Sequence, residues 1–151
     1  LSLSHQTRLN LTGAEPLRTR VNGVAGRWTQ SRASGNRFSF GVDVRRSKSK
    51  APDSDYLSVT YGANYDIAKP FNGMQLGFGI ESETRDFDAS VYAPGPREDK
   101  LIGLNVSATF TNVEYYGFQP VVTVEARRND SSVDLFDRDY VNVGFDLRSA
   151  F

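Results

Sequence analysis

The chain has no cysteine, a single methionine at Met74, a single histidine at His5, and only four lysines among its 18 basic residues. Without cysteine there is no disulfide framework and no thiolate metal site, which is compatible with an exported protein that avoids disulfides. Because Met74 is the only methionine, the expectation is a chain that has lost a leader segment or is a fragment. Neither sign of charge dominates: 18 basic residues face 18 acidic ones. This argues against nucleic acid as a partner, since that partner calls for a basic patch. No apolar run approaches the roughly 18 residues of a membrane helix. Crossing by strands stays open, because a barrel strand carries its hydrophobicity in alternation. At 151 residues the chain is expected to form one domain, 1–151.

A period of two runs through about eight segments, with almost no helical periodicity. Phe38, Phe40, Val42 and Val44 alternate with Ser39, Gly41, Asp43 and Arg45. Leu57, Val59, Tyr61, Ala63 and Tyr65 alternate with Ser58, Thr60, Gly62 and Asn64. The same pattern holds for Met74–Ile80, Ile102–Phe110, Pro120–Ala126 and Tyr140–Arg148, and at the start for Leu1, Leu3, Leu9 and Leu11. Only Leu17–Thr29 is ragged. The connections also alternate. Ala33–Asn36, Pro70–Gly73 and Thr111–Gly117 are short. Ser47–Asp55, Asp86–Asp99 and Asn129–Asp139 are longer and rich in charge, Ser, Gly and Pro.

An up-and-down meander puts every other connection at the same rim, so one rim has short turns and the other long polar loops. Trp28, Phe38, Tyr65, Phe110, Tyr116, Phe118 and Phe151, with Phe71 and Tyr115, then fall at the short-turn rim. Amphipathic rings favour a membrane–water interface, so this set predicts an aromatic girdle. General enrichment of aromatics in strands does not predict that they gather at one end.

Alternation does not say which face is wet. A soluble barrel would turn the apolar face inward around a ligand. The polar face here carries Arg8, Asp43, Arg45, Asp66, Glu81, Glu83, Glu125, Arg127, Asp146 and Arg148 among glycines. A soluble surface would carry more lysine and fewer glycines. Both signs enclosed in a narrow barrel can pair with one another, so these ten residues are expected to form a lumen charge network.

Catalysis finds little support, and no cofactor is implied. His5 lacks the nucleophile and orienting group that a hydrolytic site needs. Glu81, Glu83 and Glu125 resemble an acid–base set, but their interleaved arginines favour ion pairs. Gly77-Phe78-Gly79 has neither a third glycine nor a following helix. Asp130, Asp134, Asp137 and Asp139 lack calcium-loop spacing. With Arg127, Arg128 and Arg138 they suggest a solvated loop near anionic headgroups, and so contact with outer-membrane lipid and lipopolysaccharide.

The last twelve residues put Val141, Val143, Phe145, Leu147 and Phe151 on one face, a length suited to a barrel strand crossing a membrane. This ending resembles the terminal strand of bacterial outer-membrane β-barrels, whose C-terminal aromatic is read by the assembly machinery. The preceding residues, Gly117-Phe-Gln-Pro120 through Glu125-Ala-Arg-Arg-Asn-Asp-Ser-Ser-Val133 and Asp134-Leu-Phe-Asp137, resemble the closing hairpin of the surface lipoprotein assembly modifier family of porin-like barrels. Phe136 stands where that family usually has tyrosine, and Val133 where an Asn-Ile pair is common.

The resemblance implies a Gram-negative outer-membrane protein, and barrel assembly machinery and a protein partner at the long loops as its contacts. The expectation is therefore an all-β, antiparallel, up-and-down transmembrane β-barrel of about eight strands. Its role is structural, anchoring or display, and not catalytic. The alternatives are the C-terminal part of a larger barrel forming an export conduit, and a soluble ligand-binding barrel.

Overall fold

The computed structural model describes residues 2–10, 17–49 and 54–149. Eight strands form one sheet: β1 (Ser2–Asn10), β2 (Leu17–Ser31), β3 (Arg37–Ser49), β4 (Tyr56–Asp66), β5 (Met74–Phe87), β6 (Arg97–Phe110), β7 (Phe118–Ser131) and β8 (Arg138–Ser149). Each pairs antiparallel with the next, so spatial order equals chain order. A 3₁₀ turn, Asp134–Phe136, lies in the connection before β8.

The ragged segment is a strand. Leu17–Ser31 pairs along its length with β3 because Val24, Gly26 and Trp28 sit opposite Val44, Val42 and Phe40 and share their face. The strands also reach further into the polar segments than their alternation suggests. β3, β5 and β7 extend to Ser49, Phe87 and Ser131, leaving connections of 50–55, 88–96 and 132–137.

At the opposite rim, Asn72 and Gly73 have φ of 49° and 75°, and Tyr116 and Gly117 have 52° and 78°. Two successive left-handed residues make the two-residue turn whose twist suits a hairpin. Phe71 and Met74 accordingly exchange both backbone hydrogen bonds, at 2.8 and 2.9 Å.

The strands slide past one another in one direction. A line perpendicular to the strands runs from Ser4 through Gly23, Arg45, Ser58, Arg85 and Asp99 to Ser131. It starts near the lower end of β1 and leaves at the upper end of β7, a stagger of about one residue per strand. With ~3.4 Å per residue and ~4.8 Å between strands, this is a tilt of about 35°, which falls within the range of barrel walls.

The sheet is inverted relative to a soluble domain. The buried residues Ser47, Ser58, Phe87, Arg97, Asp99, Thr109 and Asn129 all lie on the polar face. The apolar face is bare: Trp28 is 55 % exposed, Leu104 55 %, Val143 67 % and Phe145 68 %. The polar face is concave, enclosing a trough of about 500 Å³ lined from β1 through β6.

The expected closed barrel does not form. No pairing joins β1 to β8 among the described residues. Among the described residues the β1 ladder runs to Ser2–Ala25, and Gly26–Ser31 of β2 pair with β3 alone. The curl is nonetheless deep. A cavity of about 200 Å³ at the short-turn rim is lined by Ser31, Gly35 and Arg37, by Asp66 and Gln75, and by Arg148 from β8. Period two encodes which face a residue takes. Closure depends on strand number and total stagger, which alternation does not carry.

Candidate functional site: the concave polar face

Residues at odd positions of β5, β6 and β7 line this face, and small ones separate the long ones. Along one rung Gly62, Glu81, Gly103 and Arg127 stand side by side on β4 to β7. Arg127 lies over Gly103 and reaches Glu81 at 3.6 Å, while pairing with Glu125 at 2.6 Å. On the next rung Asn64 and Asn105 approach each other over Gly79. The described side chains thus lie along the wall beside the trough.

The predicted charge network assembles in part. Asp43 pairs with Arg45 at 2.8 Å, Glu83 with Arg85 at 2.6 Å, and Asp66 with Arg37 at 2.9 Å. Most pairs lie two residues apart on one strand, because alternation returns i and i+2 to the same face. Arg37 and Arg85 complete pairs that the predicted set left without a cation. Arg8 stands opposite Thr19, on the polar-face register. Asp146 and Arg148 occupy the polar-face register of β8, next to its open edge, and no ion pair joins them among the described residues. The ion pairs that form therefore lie on β3 to β7, and the two β8 residues stand apart from them.

At the long-loop end the concave face carries a cluster not anticipated from the sequence. Arg97, 7 % exposed, is held between the Phe87 ring at 3.6 Å and the Phe136 ring at 3.8 Å. A guanidinium fits such a slot because it is planar and weakly hydrated. A desolvated cation–π contact contributes on the order of 2 kcal/mol. The Asp99 carboxylate lies 3.2 Å from Arg97 Nε. That nitrogen has no hydrogen-bond partner, so the distance marks an ionic contact without donor alignment. Asp99 also accepts from Ser131 Oγ at 2.6 Å. Tyr56 packs on Phe87 at 5.3 Å, and Tyr92 meets Phe136 edge-on at 5.5 Å. Phe87 was the available signal: it stands in phase with Glu83 and Arg85, out of step with Leu76, Phe78 and Ile80.

The outward face is organised by height. On β6 the apolar positions run from Ile102 to Phe110, roughly 20–25 Å at the observed tilt. Above them sits a charged collar, with Lys100 on Glu98 at 3.0 Å and Arg128 on Asp130 at 2.9 Å. Lys48 bridges Asp55 at 2.9 Å and Asp88 at 2.7 Å, tying two loops together. The hydrogen bond from Lys48 holds the Asp55 carboxyl below the usual carboxylate range, helped by the Ser49 amide. Arg128 and Asp130 therefore belong to β7 and not to a solvated loop. Asp134 opens the 3₁₀ turn, Asp137 accepts from the Ser131 amide at 2.6 Å, and Asp139 lies in β8.

At the short-turn rim, Phe38, Tyr65 and Phe78 share one rung. Trp28 meets Phe38 at 6.0 Å, Asn36 Nδ2 donates to the Tyr65 hydroxyl at 2.8 Å, and Tyr115 packs on Tyr116 at 4.4 Å. Phe110 ends β6 and Phe118 begins β7. Phe151 lies outside the described residues. His5 falls opposite Asn22 on the apolar-face register. No family model, curated protein or solved structure matched the chain.

Proposed function

We propose that this chain is the wall of a Gram-negative outer-membrane β-barrel whose concave polar face lines an aqueous lumen. The carrying observation is the inversion: the buried positions belong to the polar face, while the apolar face is exposed over a band of membrane height. Exposed apolar area on this scale needs a covering, and hydrocarbon bounded by an aromatic rim and a charged collar suits it. Lipid and lipopolysaccharide headgroups are the proposed neighbours of the collar, and the barrel assembly machinery is the proposed partner during insertion.

In this reading strands beyond β1 and β8 complete the barrel, which is wider than eight strands and acts as a conduit. The trough of about 500 Å³ along the concave face favours this. The likeness of the β7–β8 hairpin to the surface lipoprotein assembly modifier barrels would make exported lipoproteins the cargo. The second reading, a closed eight-stranded anchor with a filled interior, draws on the stagger, which suits barrel closure.

Protein extracted in detergent, with migration that changes on heating, is the expected behaviour; full recovery in detergent-free buffer sinks the membrane reading. Reconstituted in planar bilayers, the conduit predicts stepwise conductance, whereas a closed eight-stranded anchor of monomer mass predicts none.

A further inference from the structure

We propose that the β7–β8 connection, 132–137, is an inward-folded strap that narrows the long-loop mouth of the conduit, with Arg97 as its latch. The proposal rests on the conduit reading. Three independent attachments hold the strap. Phe136 covers the outer face of the Arg97 guanidinium, whose other face lies on Phe87. The Phe136 carbonyl accepts from Asn129 Nδ2 at 2.9 Å, and Asn129 is itself buried on the concave face. The Ser132 amide donates to the Glu98 carbonyl at 2.8 Å, and the Glu98 amide returns a bond to Ser132 Oγ at 3.0 Å.

The neighbouring connection joins in through Tyr92 on Phe136. A loop that only linked two strands in solvent would have no reason to bury an arginine. Here Phe87, Arg97, Asp99 and Asn129, among the most buried residues described, all cluster beneath this one strap. Two of the strap's attachments, Arg97 and Asn129, come from side chains on the concave face, so it folds over the mouth and does not splay outward. Releasing it opens the mouth without touching the band that faces lipid.

The test uses Arg97→Ala, Arg97→Lys and Phe136→Ala in the complete protein, each first shown to keep its heat-modifiable migration. Arg97→Ala is expected to raise chymotryptic and tryptic cleavage within 132–138 about tenfold and to enlarge the unit conductance. Phe136→Ala should enlarge conductance equally. Arg97→Lys keeps the charge and loses the stacked plane, and should fall between the two extremes. Unchanged cleavage in Arg97→Ala overturns the latch. Freed loops with unchanged conductance overturn the narrowing. Absence of conductance from wild type and variants alike removes the conduit reading instead, whatever the protease shows.

Discussion

Asn64 and Asn105 meet across β5 because Gly79 stands between them with no side chain. A Cβ there would lie 2.3 Å from Asn105 Nδ2 and 2.6 Å from Asn64 Oδ1. Both are short amides, so neither can swing clear as a lysine tip would. Gly79→Ala should therefore destabilise the sheet by about 1–3 kcal/mol, the usual cost of overpacking. Gly41, on the same face, meets only a backbone oxygen at 3.5 Å. Gly41→Ala should be neutral or slightly stabilising, since it removes chain entropy without a clash. Urea midpoints in micelles compare the two, and equal shifts would mean that the close approach over Gly79 has no energetic weight.

At the scale of elements, the Asn72–Gly73 turn sets the register of β4 on β5. Gly73 has φ of 75°, and a Cβ would stand 2.5 Å from Asn112 Cγ. Gly73→Ala is expected to cost about 1–2 kcal/mol from the left-handed backbone alone, and more from the clash. Slower refolding of the heat-modifiable form, with Gly73→Asn closer to wild type, checks it.

This hairpin was legible in the sequence as the short Pro70–Gly73 connection between two alternating runs. Seven strands were legible for a similar reason, as was the grouping of Trp28, Phe38 and Tyr65 toward one rim. β2 was not, because Gly23, Gly26 and Arg27 blur its pattern and only the β3 partners reveal its face. The Arg97 cluster was invisible for a different reason. It depends on a loop folding back onto the polar face, and no local periodicity records a contact between residues 87, 97 and 136. Ion pairs were half legible: the residues were identifiable, but Arg37 and Arg85 became part of the network only through register.

For the whole molecule, the decisive quantity is which side of the sheet rejects a charge. Leu104 sits near the middle of the outward band, 55 % exposed. Thr60 lines the trough, on a rung with Asp43 and Glu83. On the proposed membrane reading, an arginine at 104 has no counter-ion within the band and should cost about 2–4 kcal/mol. An arginine at 60 meets two carboxylates and open space, and should cost under about 1 kcal/mol, as exposed ion pairs contribute little in either direction. The contrast does not depend on strand count, so it holds for a closed anchor and for a wider conduit. A sheet whose apolar face instead packs against another protein in water would pay at 104 in the assembled state and pay nothing as an isolated chain. Unfolding both variants in lipid vesicles measures the difference directly. Equal costs, or a greater cost at 60, would reverse the facing on which the wall and its lumen depend.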